Sequence, residues 1–230
     1  MGLASWFFNT YSGAASSVQS IDALSNPFSQ AGSGCLRISF PANAAQPALT
    51  AIYASAPGPA GGFSAGRLRS LFWIENSFTV ATFSNLFGIF FMADRKADTG
   101  GGITSNAASC YTWEYNSDDK TLRFLRLSRG LSGYANARVI TTHAFSANQY
   151  SVVALQVDWF TDSVSIGGTY MKGYVGSSWD YSDIACVVAI IDTLSFLSAT
   201  SGEGVWGGTR TNNASAYTLK IDEGYLWTSA

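Results

Sequence analysis

Tyr111-Thr112-Trp113-Glu114-Tyr115 alternates aromatic and polar residues, and Asn116-Ser117-Asp118-Asp119-Lys120 separates it from Thr121-Leu122-Arg123-Phe124-Leu125-Arg126-Leu127-Ser128. Successive strand side chains point to opposite faces, so the first run puts Tyr111, Trp113 and Tyr115 on one face and Thr112 and Glu114 on the other, as a half-buried antiparallel strand requires. The polar link is a hairpin loop. In the second run Leu122 and Phe124 share one face while Leu125 and Leu127 share the other. That strand is either covered on both sides or bulged near Phe124, with an unpaired residue expected there.

The same punctuation extends outward. Short runs rich in Val, Ile, Phe, Tyr and Thr, separated by clusters of Gly, Asn, Asp, Ser and Pro, read as strands at residues 35–40, 48–54, 68–75, 78–83, 86–93, 110–115, 121–128, 138–142, 151–158, 163–167, 185–191, 195–199, 204–207 and 216–227. So many short strands imply two stacked sheets rather than a parallel sheet under helices. Residues 57–62 and 94–109, the latter with Gly100-Gly101-Gly102, read as loops. Residues 17–24 suggest one short helical turn. Residues 1–33, with Trp6, Phe7, Phe8 and Tyr11, form an N-terminal arm packed either on the sandwich of residues 34–230 or on a neighbouring subunit.

A chain of 230 residues with 47% hydrophobic and 14% aromatic content fills one core without disulfide or metal staples. Only 12% of residues are charged, which disfavours long solvated helices. A net charge of −2 with scattered Lys and Arg gives no field for nucleic acid. Cys35, Cys110 and Cys186 are far apart and odd in number, the pattern of buried free thiols rather than a disulfide framework or zinc site. No run reaches the roughly 18 apolar residues of a membrane span, and the first residues lack the charged and apolar regions of a secretory signal. Manufacture in a cytoplasm is the expectation.

Ala144-Phe145-Ser146-Ala147-Asn148-Gln149-Tyr150-Ser151-Val152-Val153-Ala154-Leu155-Gln156-Val157-Asp158, followed by Ser163-Val164-Ser165-Ile166-Gly167-Gly168, resembles a hairpin of laminin-G and concanavalin-like domains. There, an aromatic turn leads into an apolar strand ending in Asp, and a second strand ends in Gly. Tyr217-Thr218-Leu219-Lys220-Ile221-Asp222-Glu223-Gly224-Tyr225-Leu226-Trp227 is similar to that superfamily's last strand, and Gly34-Cys35-Leu36-Arg37-Ile38-Ser39-Phe40 to its opening strand. The resemblance implies an all-β, two-sheet antiparallel β-sandwich of jelly-roll, concanavalin-like type. It leaves activity open, because that superfamily includes lectins, glucanases, adhesive modules and virus appendage proteins.

Related β-glucanases carry a Glu-x-Asp-x-x-Glu strand whose carboxylates act together. That element is absent here: Glu75, Glu114, Glu203 and Glu223 have no carboxylate two residues on, and adjacent Asp222 and Glu223 point to opposite strand faces. His143 is the one histidine, with no Gly-x-Ser-x-Gly elbow to accompany it, so a structural role is expected. Asp158/Asp162 and Asp180/Asp183 lack the dense ladder of a calcium loop and read as turn caps. No cofactor is therefore expected, and calcium has no specific support.

Sugars offer apolar faces that stack on aromatic rings. Trp73, Trp113, Trp206 and Trp227 fall inside strand patterns and read as core, whereas Tyr134, Trp179 and Tyr181 lie in loops and are the candidate ligand-binding residues. Taken together, the sequence suggests a non-catalytic virion structural or adhesive protein, such as a phage tail-fibre, tail-adaptor or capsid-decoration component. Its partners would be copies of itself, other virion subunits and a cell-surface glycan. A stand-alone, extracellular glycan-binding lectin is the alternative, and a glycan-cleaving hydrolase the second alternative.

Overall fold

The computed structural model describes the backbone of residues 6–11, 18–22, 35–40, 48–54, 65–74, 85–93, 110–117, 119–127, 138–148, 150–162, 165–194, 204–211 and 217–228. Within these, side chains are described for residues 65–73, 87–89, 91–92, 110–117, 119–126, 138–148, 150–162 and 165–194. All regular structure among them is extended: β1 (Trp6–Tyr11), β2 (Val18–Asp22), β3 (Cys35–Phe40), β4 (Ala48–Ala54), β5 (Ala65–Ile74), β6 (Asn85–Ala93) and β7 (Cys110–Asn116). The series continues with β8 (Thr121–Leu127), β9 (Arg138–Ala144), β10 (Val152–Asp162), β11 (Gly168–Gly176), β12 (Ala185–Asp192), β13 (Gly204–Thr211) and β14 (Tyr217–Thr228).

Two antiparallel sheets result. Sheet A runs β1-β4-β13-β6-β7-β8-β9 and sheet B runs β12-β11-β10-β5-β14-β3-β2. The all-β, two-sheet sandwich expected from the alternating pattern is the fold observed.

Between the sheets lie Phe72, Val153, Leu155, Val157, Trp159 and Met171 from sheet B and Phe87, Phe91, Tyr111, Trp113, Tyr115 and Phe124 from sheet A. The rings pack closely: Phe72 lies 4.8 Å from Phe87 and Trp113 lies 4.5 Å from Phe124. Burying each such side chain stabilises the fold by about 1.5–3 kcal/mol before the entropy of ordering is set against it. At one end of the core Asp192 ties the sheets together, accepting hydrogen bonds from Tyr111 Oη at 2.9 Å and Arg138 Nη2 at 2.5 Å.

Several expectations need correction. Val18–Asp22 is a strand paired with β3, not a helical turn; pairing and burial overrule weak local preference. Trp6–Tyr11 pairs with β4, so residues 6–11 and 18–22 supply one strand to each sheet of this same chain. Of the strand expected at 163–167, the described residues 165–167 form a turn instead: β10 continues to Asp162, whose Oδ1 accepts the Ser165 amide at 2.9 Å, and Gly167 takes a left-handed φ of 64°. The next strand is β11, in a stretch whose glycines mimic a loop. The face of β7 carrying Thr112 and Glu114 is as buried as its aromatic face. Beside Phe124 the register does shift, and the unmatched residue is Ile140 of β9. Cys110 is buried as expected, but Cys186 is exposed on β12. The expected strands at 78–83 and 195–199, and the loops at 57–62 and 94–109, lie outside the described residues.

Candidate functional site

The outward face of sheet B carries the side chains with the most to offer a ligand. Register aligns them in rows across β5, β10, β11 and β12. Arg67, Asp158, Lys172 and Ala189 stand opposite one another, as do Arg69, Gln156, Tyr174 and Cys186 in the next row. On one flank lies the row Ala65, Phe160, Tyr170 and Ile191; on the other lie Leu71, Ala154 and Gly176. Each row crosses three inter-strand gaps or fewer, about 14 Å at most, and neighbouring rows are about 7 Å apart along the strands.

Asp158 is the hub. Arg67 donates to it bidentately, Nε to Oδ1 and Nη2 to Oδ2, both at 2.7 Å. Tyr174 Oη donates to Oδ2 at 3.0 Å, and Gln156 Nε2 donates to Oδ1 at 3.0 Å. Arg69 Nε in turn donates to Gln156 Oε1 at 2.5 Å. The network thus spans β5, β10 and β11 while remaining partly open to solvent, with the Arg67 side chain 44% exposed.

This geometry sets the protonation states. Burial opposes charge on Asp158, but the hydrogen bonds from Arg67, Tyr174 and Gln156 outweigh it and hold the carboxyl below its ordinary range. Its hydrogen bond to Arg67 raises the guanidinium in return. Burial, then the hydrogen bond to anionic Asp158, push the Tyr174 phenol up to about 12. Tyr174 is therefore a neutral donor near pH 7, not a phenolate base. Among the side chains described on β5, β10 and β11, this face sets Arg67, Arg69 and Lys172 against Asp158 and Asp162, in a chain whose net charge is −2.

Core packing holds β11 in place beneath this face. A Cβ at Gly173 would lie 2.7 Å from Trp113 Cε2, so glycine alone lets the indole sit against the strand, where Trp113 Nε1 donates to the Tyr174 carbonyl at 3.1 Å. At Gly176 a Cβ would lie 2.6 Å from Asp183 Oδ1, because residues 177–184 fold back over that end of the face.

Of the aromatics expected to meet a ligand, Tyr134 lies outside the described residues and the other two behave differently. Trp179 is 41% exposed, whereas Tyr181 is only 8% exposed and packs on Leu71 and Ala154 with the Arg69 guanidinium 5.0 Å from its ring centre. Tyr181 thus forms a wall of the face rather than an open stacking surface. Trp73 joins that same outer cluster instead of the inter-sheet core. Asp183 and Asp180 cap the turn: Asp183 accepts the Ser177 amide at 2.8 Å and the Ser178 amide at 2.9 Å, and Asp180 accepts the Ser182 amide at 3.0 Å. Among the described residues no three His, Cys, Asp or Glu side chains gather as a metal site would require.

The turn cap expected at Asp158 is corrected, because Asp158 lies within β10 and its carboxylate is taken up by side chains of adjacent strands. The sequence reading passed over Arg67, Arg69, Gln156, Tyr170, Lys172 and Tyr174. The signal was present as Arg67-x-Arg69, Gln156-x-Asp158 and Tyr170-x-Lys172-x-Tyr174, where period two puts the polar members of three adjacent strands on one face.

The sequence matches no family model and no curated protein. Its fold, however, is similar to solved structures. A PL-14 alginate lyase from Aplysia kurodai superposes with a TM-score of 0.64 at 11% identity, over 99% of this chain and 92% of that one. An endo-β-1,4-glucuronan lyase from Trichoderma reesei gives 0.56 at 12% identity, over 97% and 95%. Carbohydrate-binding module CBM66 from Bacillus subtilis gives 0.52 at 11% identity, over 96% and 95%. At such identities these likenesses show the fold, and they place the chain among β-sandwiches.

Proposed function

We propose that this chain binds an acidic polysaccharide along the outer face of sheet B, without cleaving it. The observation that carries this reading is the network of Arg67, Asp158, Tyr174, Gln156 and Arg69 joined across three strands, with Lys172 beside it. Guanidinium, amide and phenol groups held on rigid strands match the hydroxyls and carboxylates of a uronic-acid chain, and little ordering is left to oppose binding. The fold neighbours support the same class of ligand, since two are lyases of alginate and glucuronan and one is a binding module.

Cleavage by elimination is the second reading, favoured by those two lyases. It needs a group able to take a proton next to a carbonyl, and Tyr174 is poorly suited while it donates to Asp158. Hydrolysis by paired carboxylates needs two within about 10 Å, and the next one to Asp158 on this face of β10 is Asp162, four residues or about 13 Å along the strand and engaged by the Ser165 amide. None of the three neighbours is described as a virion component, so the virion role expected from the sequence gains no support from them.

Calorimetric titration with alginate, polyglucuronate and a neutral glucan tests the reading. Alginate or polyglucuronate should bind, more weakly as salt rises, and Arg67→Ala combined with Lys172→Ala should lower affinity at least about tenfold. Failure of both acidic polymers to bind would remove the proposal. Appearance of unsaturated sugar ends, absorbing in the ultraviolet, would replace binding with elimination.

A further inference from the structure

Building on that reading, we propose that the row Ala65, Phe160, Tyr170 and Ile191 is the platform on which the sugar rings stack, and that it directs the polysaccharide across the strands rather than along them. Phe160 is 43% exposed and Ile191 48% exposed, yet both sit within strands of sheet B, near the ends of β10 and β12, rather than in loops. Tyr170 stands between them in the register and is half-buried. Large apolar side chains left exposed side by side on a sheet face mark a contact surface.

Two features favour a glycan as the occupant. The platform borders the charged row, and Lys172 Nζ lies 5.6 Å from the Tyr170 ring centre, over the ring itself. A pyranose lying flat on Phe160 and Tyr170 therefore presents its rim to Lys172 and Arg67 one row away, about 7 Å along the strands. Anionic substituents on that rim meet the positive charge, while the apolar C–H face meets the rings. The apolar surface on the opposite flank is already occupied: Tyr181 covers Leu71 and Ala154. Phe160 is exposed, and the group standing over the Tyr170 ring is the Lys172 ammonium rather than an apolar side chain, so stacking is available on this flank.

Phe160→Ala, Tyr170→Ala and Phe160→Trp test the platform, each first checked for an unchanged far-ultraviolet spectrum and melting temperature. Against alginate and polyglucuronate, Phe160→Ala and Tyr170→Ala should each weaken binding about 3- to 10-fold. Their salt dependence should stay parallel to the parent, unlike that of Arg67→Ala. Phe160→Trp should retain affinity, and its emission should shift on adding polymer. Unchanged affinity in Phe160→Ala, with Arg67→Ala still impaired, would overturn the platform and leave the binding face standing. Loss of a dimer in Phe160→Ala at constant affinity would overturn it in favour of a contact between copies of the chain. No binding by the parent protein would bring down the platform together with the function on which it rests.

Discussion

Replacing Gly173 with Ala tests whether the core geometry that holds the ligand face is as tight as described. The new Cβ would stand 2.7, 2.8 and 2.9 Å from Trp113 Cε2, Cζ2 and Cδ2, whereas carbon atoms in good contact are about 3.5–4 Å apart. The indole must retreat by roughly 0.7 Å to restore contact. It has little room, being fully buried, 4.5 Å from the Phe124 ring and tied through Nε1 to the Tyr174 carbonyl. Overpacking of this kind costs about 1–3 kcal/mol, and a loosened hydrogen bond about 1 more, so we expect a loss of about 2–4 kcal/mol. In a domain this size that lowers the melting temperature by roughly 5–15 °C. Urea unfolding of Gly173→Ala, Trp113→Phe and the double variant measures it. The smaller ring makes space, so the double variant should lose less than the sum of the singles by more than about 1 kcal/mol. Stability of Gly173→Ala within about 0.5 kcal/mol of the parent would refute the close-approach argument.

Four further outcomes follow from the hydrogen-bond geometry. Asp192→Ala strips the acceptor from Tyr111 and Arg138 and should cost about 2–4 kcal/mol in urea unfolding, toward the lower figure because the Arg138 side chain is 35% exposed. Burial and then the Asp192 charge raise Tyr111 to about 12, so phenolate absorbance in Asp192→Asn should develop at lower pH. Burial opposes charge on Asp183, but hydrogen bonds from Ser177 and Ser178 prevail and bring the carboxyl to about 2. A depressed carboxyl stabilises the fold above its unfolded value of about 4 and loses that contribution as pH falls through its folded one, so Asp183→Asn should flatten the acid side of a stability profile. Tyr174→Phe removes one donor from Asp158, and carboxyl-carbon NMR should then report a higher Asp158 pKa.

Legibility of the sequence varied with how far each residue's partner lay along the chain. Tyr111, Trp113 and Tyr115 announce a strand because their periodicity is local, and the conflict at Phe124 and Leu125 correctly marks a register shift. β11 was hidden because Gly168, Gly173 and Gly176 look like breakers. Gly173 is small because Trp113 of the other sheet stands against it, and Gly176 because Asp183 does; neither neighbour is visible from a window around β11. The site was missed for a related reason. Loop aromatics are conspicuous, so Tyr181 invited attention although it folds inward, whereas Arg67, Asp158 and Tyr174 acquire meaning only when β5, β10 and β11 are set side by side. Pairing of β10 with β5 joins residues 91 apart in sequence, as the Arg67 to Asp158 contact does.

The same placement links packing to function. The register of β11 against β12 shifts between Gly173 and Tyr174, at the point where Trp113 presses on Gly173 and binds the Tyr174 carbonyl. Lys172 and Tyr174 lie on either side of that point and stand in two different rows of the outer face. Because a packed core moves between discrete arrangements rather than bending smoothly, a displaced indole must carry β11 with it and spoil the alignment of Tyr174 with Asp158. Gly173→Ala should therefore weaken polysaccharide binding even at temperatures where it remains folded, although Gly173 itself has no side chain to offer a ligand. Full retention of affinity in the folded variant would mean that the core and the outer face of β11 are mechanically independent.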